Sequence, residues 1–157
     1  MTWLVTSLRK LGVEAKLWLV VDGAYAAKPF LKPLLEMNIT IVSRLRKDAA
    51  LYDLPPQREP GQRGCPRKYG KNKLHLKKRA AHPEGWQTIT YDCRGVQVTR
   101  QYKSFLATSR LTGGMIHVVI LCFEDGGWTP YFCTDPDASV QGILEAVADR
   151  WANEGNV

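Results

Sequence analysis

No apolar run in this 157-residue chain approaches the ~20 residues that a membrane-crossing helix needs. Met1 to Lys10 lack a basic n-region and a small-residue cleavage site, so they do not read as a signal peptide. Cysteine is sparse and unpatterned: Cys65, Cys93, Cys122 and Cys133 lie far apart, with no Cys-x-x-Cys pair, and His75, His82 and His117 are unclustered. That spacing argues against a zinc site, and four scattered thiols suit a reducing cytoplasm. Ser104 and Ser109 have no base nearby in sequence, which gives no support to a hydrolase nucleophile. No internal repeat is visible. What remains is a chain of single-domain length whose 45% apolar and 24% charged residues are ordinary for a globular protein with a substantial core.

Acidic residues are nearly missing from one stretch. Arg58, Arg63, Arg67, Lys68, Lys71, Lys73, Lys77, Lys78 and Arg79 face Glu59 alone, so this segment holds the whole basic excess behind the net charge of +7. Concentrated positive charge is what polyanion binding uses, because each neutralised phosphate releases counterions. Charge runs also occur simply as solvated loops, and that alternative stands beside the first.

Along the chain, Trp3, Leu4, Leu8 and Leu11 recur at helical spacing, with Gly12 as a stop. Leu17 to Val21 is a short apolar run that suits a strand covered on both faces. Pro29 to Met37 reads as a helix with Pro29 in its first turn and Pro33 as a possible kink. Thr40 to Leu45 reads as a second strand. Residues 55–83 hold Pro, Gly and charge with almost no apolar periodicity, the pattern of a long basic loop or arm. Residues 86–134 then carry four β-type runs (Trp86–Tyr91, Val96–Ala107, Met115–Phe123, Trp128–Cys133) separated by Gly-rich turn signals, which predicts an antiparallel meander. A last helix is expected from about Ala138. The fold class is therefore α/β: helix–strand–helix–strand, a β-rich insertion and a C-terminal helix.

Two carboxylates stand out. Asp22 ends the Leu17–Val21 strand and Gly23 follows it. In open α/β sheets, chemistry gathers at the carboxyl ends of strands, although an Asp there is most often a turn or cap residue. On the last helix Val140, Leu144, Val147 and Trp151 form a stripe, and Glu154 continues it. A carboxylate on a core-facing stripe is costly unless paired or metal-bound. A frayed helix end that leaves Glu154 in water fits the spacing equally well. Glu145 and Asp149 point elsewhere and read as solvated surface. Arg44 and Arg46 follow the second strand and read equally as DNA contacts or as surface ion-pair partners.

These segments resemble the DDE transposases of bacterial insertion sequences, the type with a β-strand insertion in an RNase H-like core. Residues 17–51 (LWLVVDGAYAAKPFLKPLLEMNITIVSRLRKDAAL) resemble the family's segment around its second catalytic Asp, which maps onto Asp22. GCPRKYGKNKLHLKKRA resembles the family's basic stretch, YKSFLAT its insertion, and FCTDPDASVQGILEAVADRW the approach to its last catalytic helix. That helix carries a Tyr-x2-Arg-x3-Glu-x6-Lys signature in the family, and Arg150 and Glu154 match its Arg and catalytic Glu. Val147 stands in the place of the Tyr, and the chain ends at Val157 before the Lys. No Asp precedes Asp22, and the only earlier acid is Glu14, so the family's first catalytic Asp has no counterpart here.

The resemblance implies residues 1–157 as a partial transposase catalytic domain with an incomplete RNase H-like core, truncated at both ends. It implies Asp22 and Glu154 as catalytic ligands of Mg²⁺ or Mn²⁺ in the complete enzyme, hard cations that take oxygen donors. It further implies DNA (transposon ends and target) as partner through Arg44, Arg46, Arg63, Arg67, Lys68, Lys71, Lys73, Lys77, Lys78, Arg79 and Arg150. Another transposase subunit, no membrane, and a nucleoid-associated place in the bacterial cytoplasm complete the expectation. A non-catalytic DNA-binding remnant is the alternative. Arg63-Gly64-Cys65-Pro66-Arg67 is similar to the Arg-Gly-Arg-Pro element of minor-groove binders, with Cys65 in place of the central Arg.

Overall fold

The computed structural model describes residues 3, 6, 7, 10 and 17–152. Trp3, Thr6, Ser7 and Lys10 are helical, whereas Leu4, Leu8, Leu11, Gly12, Glu14 and Glu154 lie outside the described residues.

The first apolar run becomes β1 (Trp18–Val21). It ends at Asp22, after which Gly23–Tyr25 makes one 3-10 turn. Helix α1 (Lys28–Glu36) follows, with Pro29 in the first turn, where a missing N–H costs nothing, and continues through Pro33. Asn38, at φ 60°, takes the left-handed conformation that ends helices. The chain then enters β2 (Thr40–Arg44), parallel to β1 in the register Trp18↔Thr40 to Val21↔Ser43. A parallel pair joined by a helix is a βαβ unit. Its geometry delivers Asp22 and Arg44 together at the carboxyl ends of neighbouring strands.

β5 (Gln87–Cys93), β6 (Val96–Ser109), β7 (Gly114–Cys122) and β8 (Trp128–Cys133) form the expected antiparallel succession. The β5–β6 turn places Arg94 and Gly95 at φ 57° and 82°, as a two-residue hairpin turn of the primed type requires. The fourteen-residue β6 pairs with β5 along its first half and with β7 along its second. The meander continues the α/β sheet: β8 pairs antiparallel with β2, Val42 opposite Cys133 and Arg44 opposite Tyr131. With the two-residue strands β3 (Leu51–Tyr52) and β4 (Lys73–Leu74), the result is one eight-stranded sheet in the order β1-β2-β8-β7-β6-β3-β4, with β5 also on β6.

A strand covered on both faces is ordinarily central in its sheet, and β1 is not. Among the described residues it pairs with β2 alone, and Trp18 is 37% exposed. The basic segment is also more ordered than its composition predicts. Its second half folds into β4 (Lys73–Leu74), which pairs with β3 (Leu51–Tyr52), and into helix α2 (Leu76–Ala81). Leu76 is fully buried, so a single leucine anchors a helix whose neighbours are Lys77, Lys78 and Arg79. Residues 54–68 run almost entirely exposed, and a polar knot closes their two ends. The Asp53 N–H donates to the Asn72 carbonyl, its own carbonyl accepts from the Gly70 N–H, and its carboxylate accepts from the Asn72 backbone and side-chain amides. Thr108 of β6 donates to the Asp53 carbonyl at 2.9 Å. A Cβ at Gly70 would fall on that carbonyl and on the Asp53 carboxylate, so only glycine fits there.

The two faces of the sheet bury separate clusters. Leu31 and Leu34 of α1 and Leu76 of α2 meet Ile41, Ile116, Val118, Ile120 and Phe132 on one face. Ile143, Leu144 and Val147 of helix α3 (Val140–Ala152) cover Val42, Val119, Tyr131 and Cys133 on the other. This is the α/β architecture with a C-terminal helix that the resemblance implies. Glu145 is half-buried rather than solvated, and its Oε1 accepts from the Asp92 N–H at 3.2 Å, tying α3 to the end of β5.

Candidate functional site

Asp22 is exposed at the end of β1. It occupies the cap position of the 3-10 turn, with φ −67° and ψ 150°, yet its side chain makes no capping hydrogen bond. The ordinary reason for an Asp at a strand end is thus not met. The residue lines a narrow cleft shared with Ser43 and Arg44 from β2, Tyr131 from β8, and Val147 and Arg150 from α3. The cleft's volume is about 10 Å³, near the size that holds a single water. Elements far apart in the chain converge here because β8 inserts beside β2 and α3 packs over both.

Arg44 is the centre of the site. It lines the Asp22 cleft, a second cleft of about 440 Å³ next to Gly23, and a groove of about 720 Å³ between the sheet and α3. Its guanidinium donates a hydrogen bond to the Tyr131 hydroxyl. Burial pushes the Tyr131 hydroxyl up to about 12, against the opposing pull of Arg44 and with a further upward push from Tyr91. Tyr131 therefore stays neutral and works as a fixed acceptor for Arg44. Tyr91 is also raised, first by burial, then by Cys93, with Arg100 pulling the other way.

The other expected DNA-contacting residues separate into groups. Arg150 joins Arg44 at the Asp22 cleft. Arg46 is exposed and forms a two-bond ion pair with Asp48, at 3.1 and 3.2 Å. Arg63, Arg67, Lys68 and Lys71 are exposed on the loop, Lys73 on β4, and Lys77 and Lys78 on α2. Arg79 lies 4.2 Å over the Phe105 ring. Two of the three histidines have side-chain partners: His117 Nδ1 meets the Ala138 carbonyl at 2.9 Å, and His82 Nδ1 accepts from the Glu84 N–H.

Several cations near the site escape the motif-based reading. Arg94 and Arg100 line the large groove, and Lys28 and Arg110 line the cleft beside Gly23. Lys28 does carry a signal. It opens α1, where a cation opposes the helix dipole and no acidic residue stands in the first turn. Tyr131 carries none, because only the β2–β8 register places it beside Arg44.

Asp22 is chemically suited to a hard divalent cation, which takes one or two carboxylates together with waters and substrate phosphates. Among the described residues no group of three His, Cys, Asp or Glu side chains converges. Among these residues, too, no helix is long and apolar enough to cross a membrane.

No curated protein matches the chain. A family described as DDE superfamily endonuclease matches residues 2–106, a span that holds β1, Asp22, the basic segment and most of β6. The match spans more than half of the chain, and this chain belongs to the DDE superfamily endonucleases.

Proposed function

We propose that the chain is part of the catalytic domain of a DNA transposase. Asp22 and Glu154 serve as its metal-ligating carboxylates, and residues 55–83 are the arm that grips DNA. In this reading residues 86–134 are the family's β insertion. The observation that carries the proposal is the convergence of Asp22, Arg44 and Arg150 in one cleft at the carboxyl ends of parallel strands, in a chain of this family. Mg²⁺ or Mn²⁺, when bound, supplies Lewis-acid activation of the attacking and leaving oxygens. The chain's own residues do the rest. Asp22 contributes a ligand oxygen, Arg44 and Arg150 stabilise phosphate charge, and Tyr131 fixes Arg44. Arg63, Arg67, Lys68, Lys71, Lys73, Lys77, Lys78 and Arg79 neutralise the DNA backbone, with Arg46 weakened by its pair with Asp48. DNA at transposon ends and target is the substrate, and the nucleoid its place of work.

Asp22 and Glu154 without the family's first catalytic Asp do not complete a two-metal site, so the polypeptide alone binds DNA without cutting it. A full site takes the remaining ligands from further sequence or from another transposase subunit. The same observation favours the alternative of a purely DNA-binding remnant. Titrating Mn²⁺ into the labelled chain separates the two. The transposase reading expects amide resonances around Asp22 to broaden, and Asp22→Asn to abolish the effect. Unchanged resonances at Asp22 leave the remnant. Mg²⁺-dependent cleavage by the purified chain, lost in Asp22→Ala, would overturn the claim that it cannot cut alone.

A further inference from the structure

We infer that the cleft beside Gly23 is a phosphodiester subsite, held by Lys28 and Arg110, through which a DNA strand reaches Asp22. The inference rests on the reading that the chain acts on DNA at Asp22. The cleft's volume of about 440 Å³ falls in the range that seats one nucleotide-sized unit and excludes a duplex. Lys28, Arg44, Arg46 and Arg110 line it and no carboxylate does, so its field selects an anion.

Two of the four are already committed: Arg46 to Asp48, and Arg44 to Tyr131. Lys28 and Arg110 form no ion pair among the described residues. Lys28 sits where its charge opposes the α1 dipole, a local conflict that a bound phosphate would relieve. Arg110 lies 5.5 Å from the Tyr52 ring and 5.8 Å from the Tyr69 ring. Aromatic contacts of this kind restrain a guanidinium while its in-plane N–H groups stay suited to phosphate oxygens. Tyr69 belongs to the basic segment, so Arg110 joins the loop's cations to the strand-end cleft. The walls include the small residues Gly23, Ala49 and Ala50, which let a sugar–phosphate backbone approach closely. Gly23 also adjoins Asp22, which puts the subsite one residue from the carboxylate.

The test is equilibrium binding of the full chain to a labelled DNA strand and to the matching duplex, across 50–200 mM salt. Lys28→Gln and Arg110→Gln should each reduce the slope of log affinity against log salt by roughly 0.7–0.9, and the double variant by about twice that, independent of sequence. Arg110→Lys should restore much of the slope. Lys32→Gln, an exposed α1 cation outside the cleft, should leave it unchanged. An unchanged urea midpoint confirms that the exposed substitutions leave the fold intact. A wild-type slope in the double variant overturns the subsite. So does a Lys32→Gln effect equal to that of Lys28→Gln, since that reports general charge. Absence of salt-dependent binding by the unaltered chain overturns the DNA reading itself, and the subsite with it.

Discussion

Tyr131 sits where the sheet, α3 and the candidate site meet, and its hydroxyl links stability to the position of Arg44. Its folded pKa of about 12 lies above the ordinary tyrosine value of 10.0, so burial favours the protonated form. The resulting stability is fully present below about pH 10 and is lost as pH rises towards 12, an effect of roughly 2–3 kcal/mol from the size of the shift. Urea midpoints measured from pH 7 to 12 should fall in that window, and Tyr131→Phe should remove much of the fall. An equally steep alkaline loss in Tyr131→Phe would assign it to other groups. At this scale the candidate site is only partly legible in the sequence. Asp22 is legible because a carboxylate interrupts an apolar run, and Arg44 because it ends the next one. Lys28 carries only the signal of a cation opening a helix, and Tyr131 and Arg110 carry none, because strand register and surface proximity bring them to the site and neither leaves a local pattern.

Among the elements, α2 shows what composition hides. Its sequence, Leu76 to Ala81, offers one deeply buried side chain among three cations and two alanines, so no periodic stripe announces it. Tertiary contacts compensate. Lys103 of β6 donates to the carbonyls of Arg79 and His82, at 2.6 Å each, and lies 4.7 Å from the Trp86 ring. Trp86 in turn donates from its indole to the His82 carbonyl. A lysine at the C-terminal end of a helix satisfies its orphan carbonyls and complements its dipole. Lys103 is thus a positioning residue for Lys77 and Lys78. Lys103→Met should speed amide exchange in α2 about tenfold while β6 and β7 remain protected, consistent with ~1–2 kcal/mol for charge-assisted bonds. Exchange unchanged in α2 would show that Leu76 holds the helix unaided. By contrast β1, β2 and β6–β8 are legible because β-type apolar runs alternate with turn residues. The two-residue strands β3 and β4 are too short to show a period, and the placement of β1 at the end of the strand order depends on pairing that no local signal encodes.

For the whole molecule, the decisive feature is the insertion of β8 beside β2, which joins the N-terminal βαβ unit to the meander in one sheet. Arg58, Arg63 and Arg67 are exposed in the loop between these halves. Trypsin should cut there first, and the nicked halves should still co-elute, held by β2–β8 and β3–β6 pairing. Bound DNA should slow that cut. Separation of the halves on nicking would show that the sheet does not hold without the loop. The knot of Asp53, Gly70, Asn72 and Thr108 has a different consequence for how such a protein can change. With both ends of residues 54–69 pinned to β6, the loop's length is nearly independent of the sheet's stability, since doubling a flexible loop adds only about 0.6 kcal/mol of closure cost. The basic loop is therefore an interchangeable part. Its reach and charge can drift, or be re-engineered for another DNA, while the scaffold around Asp22 stays as it is.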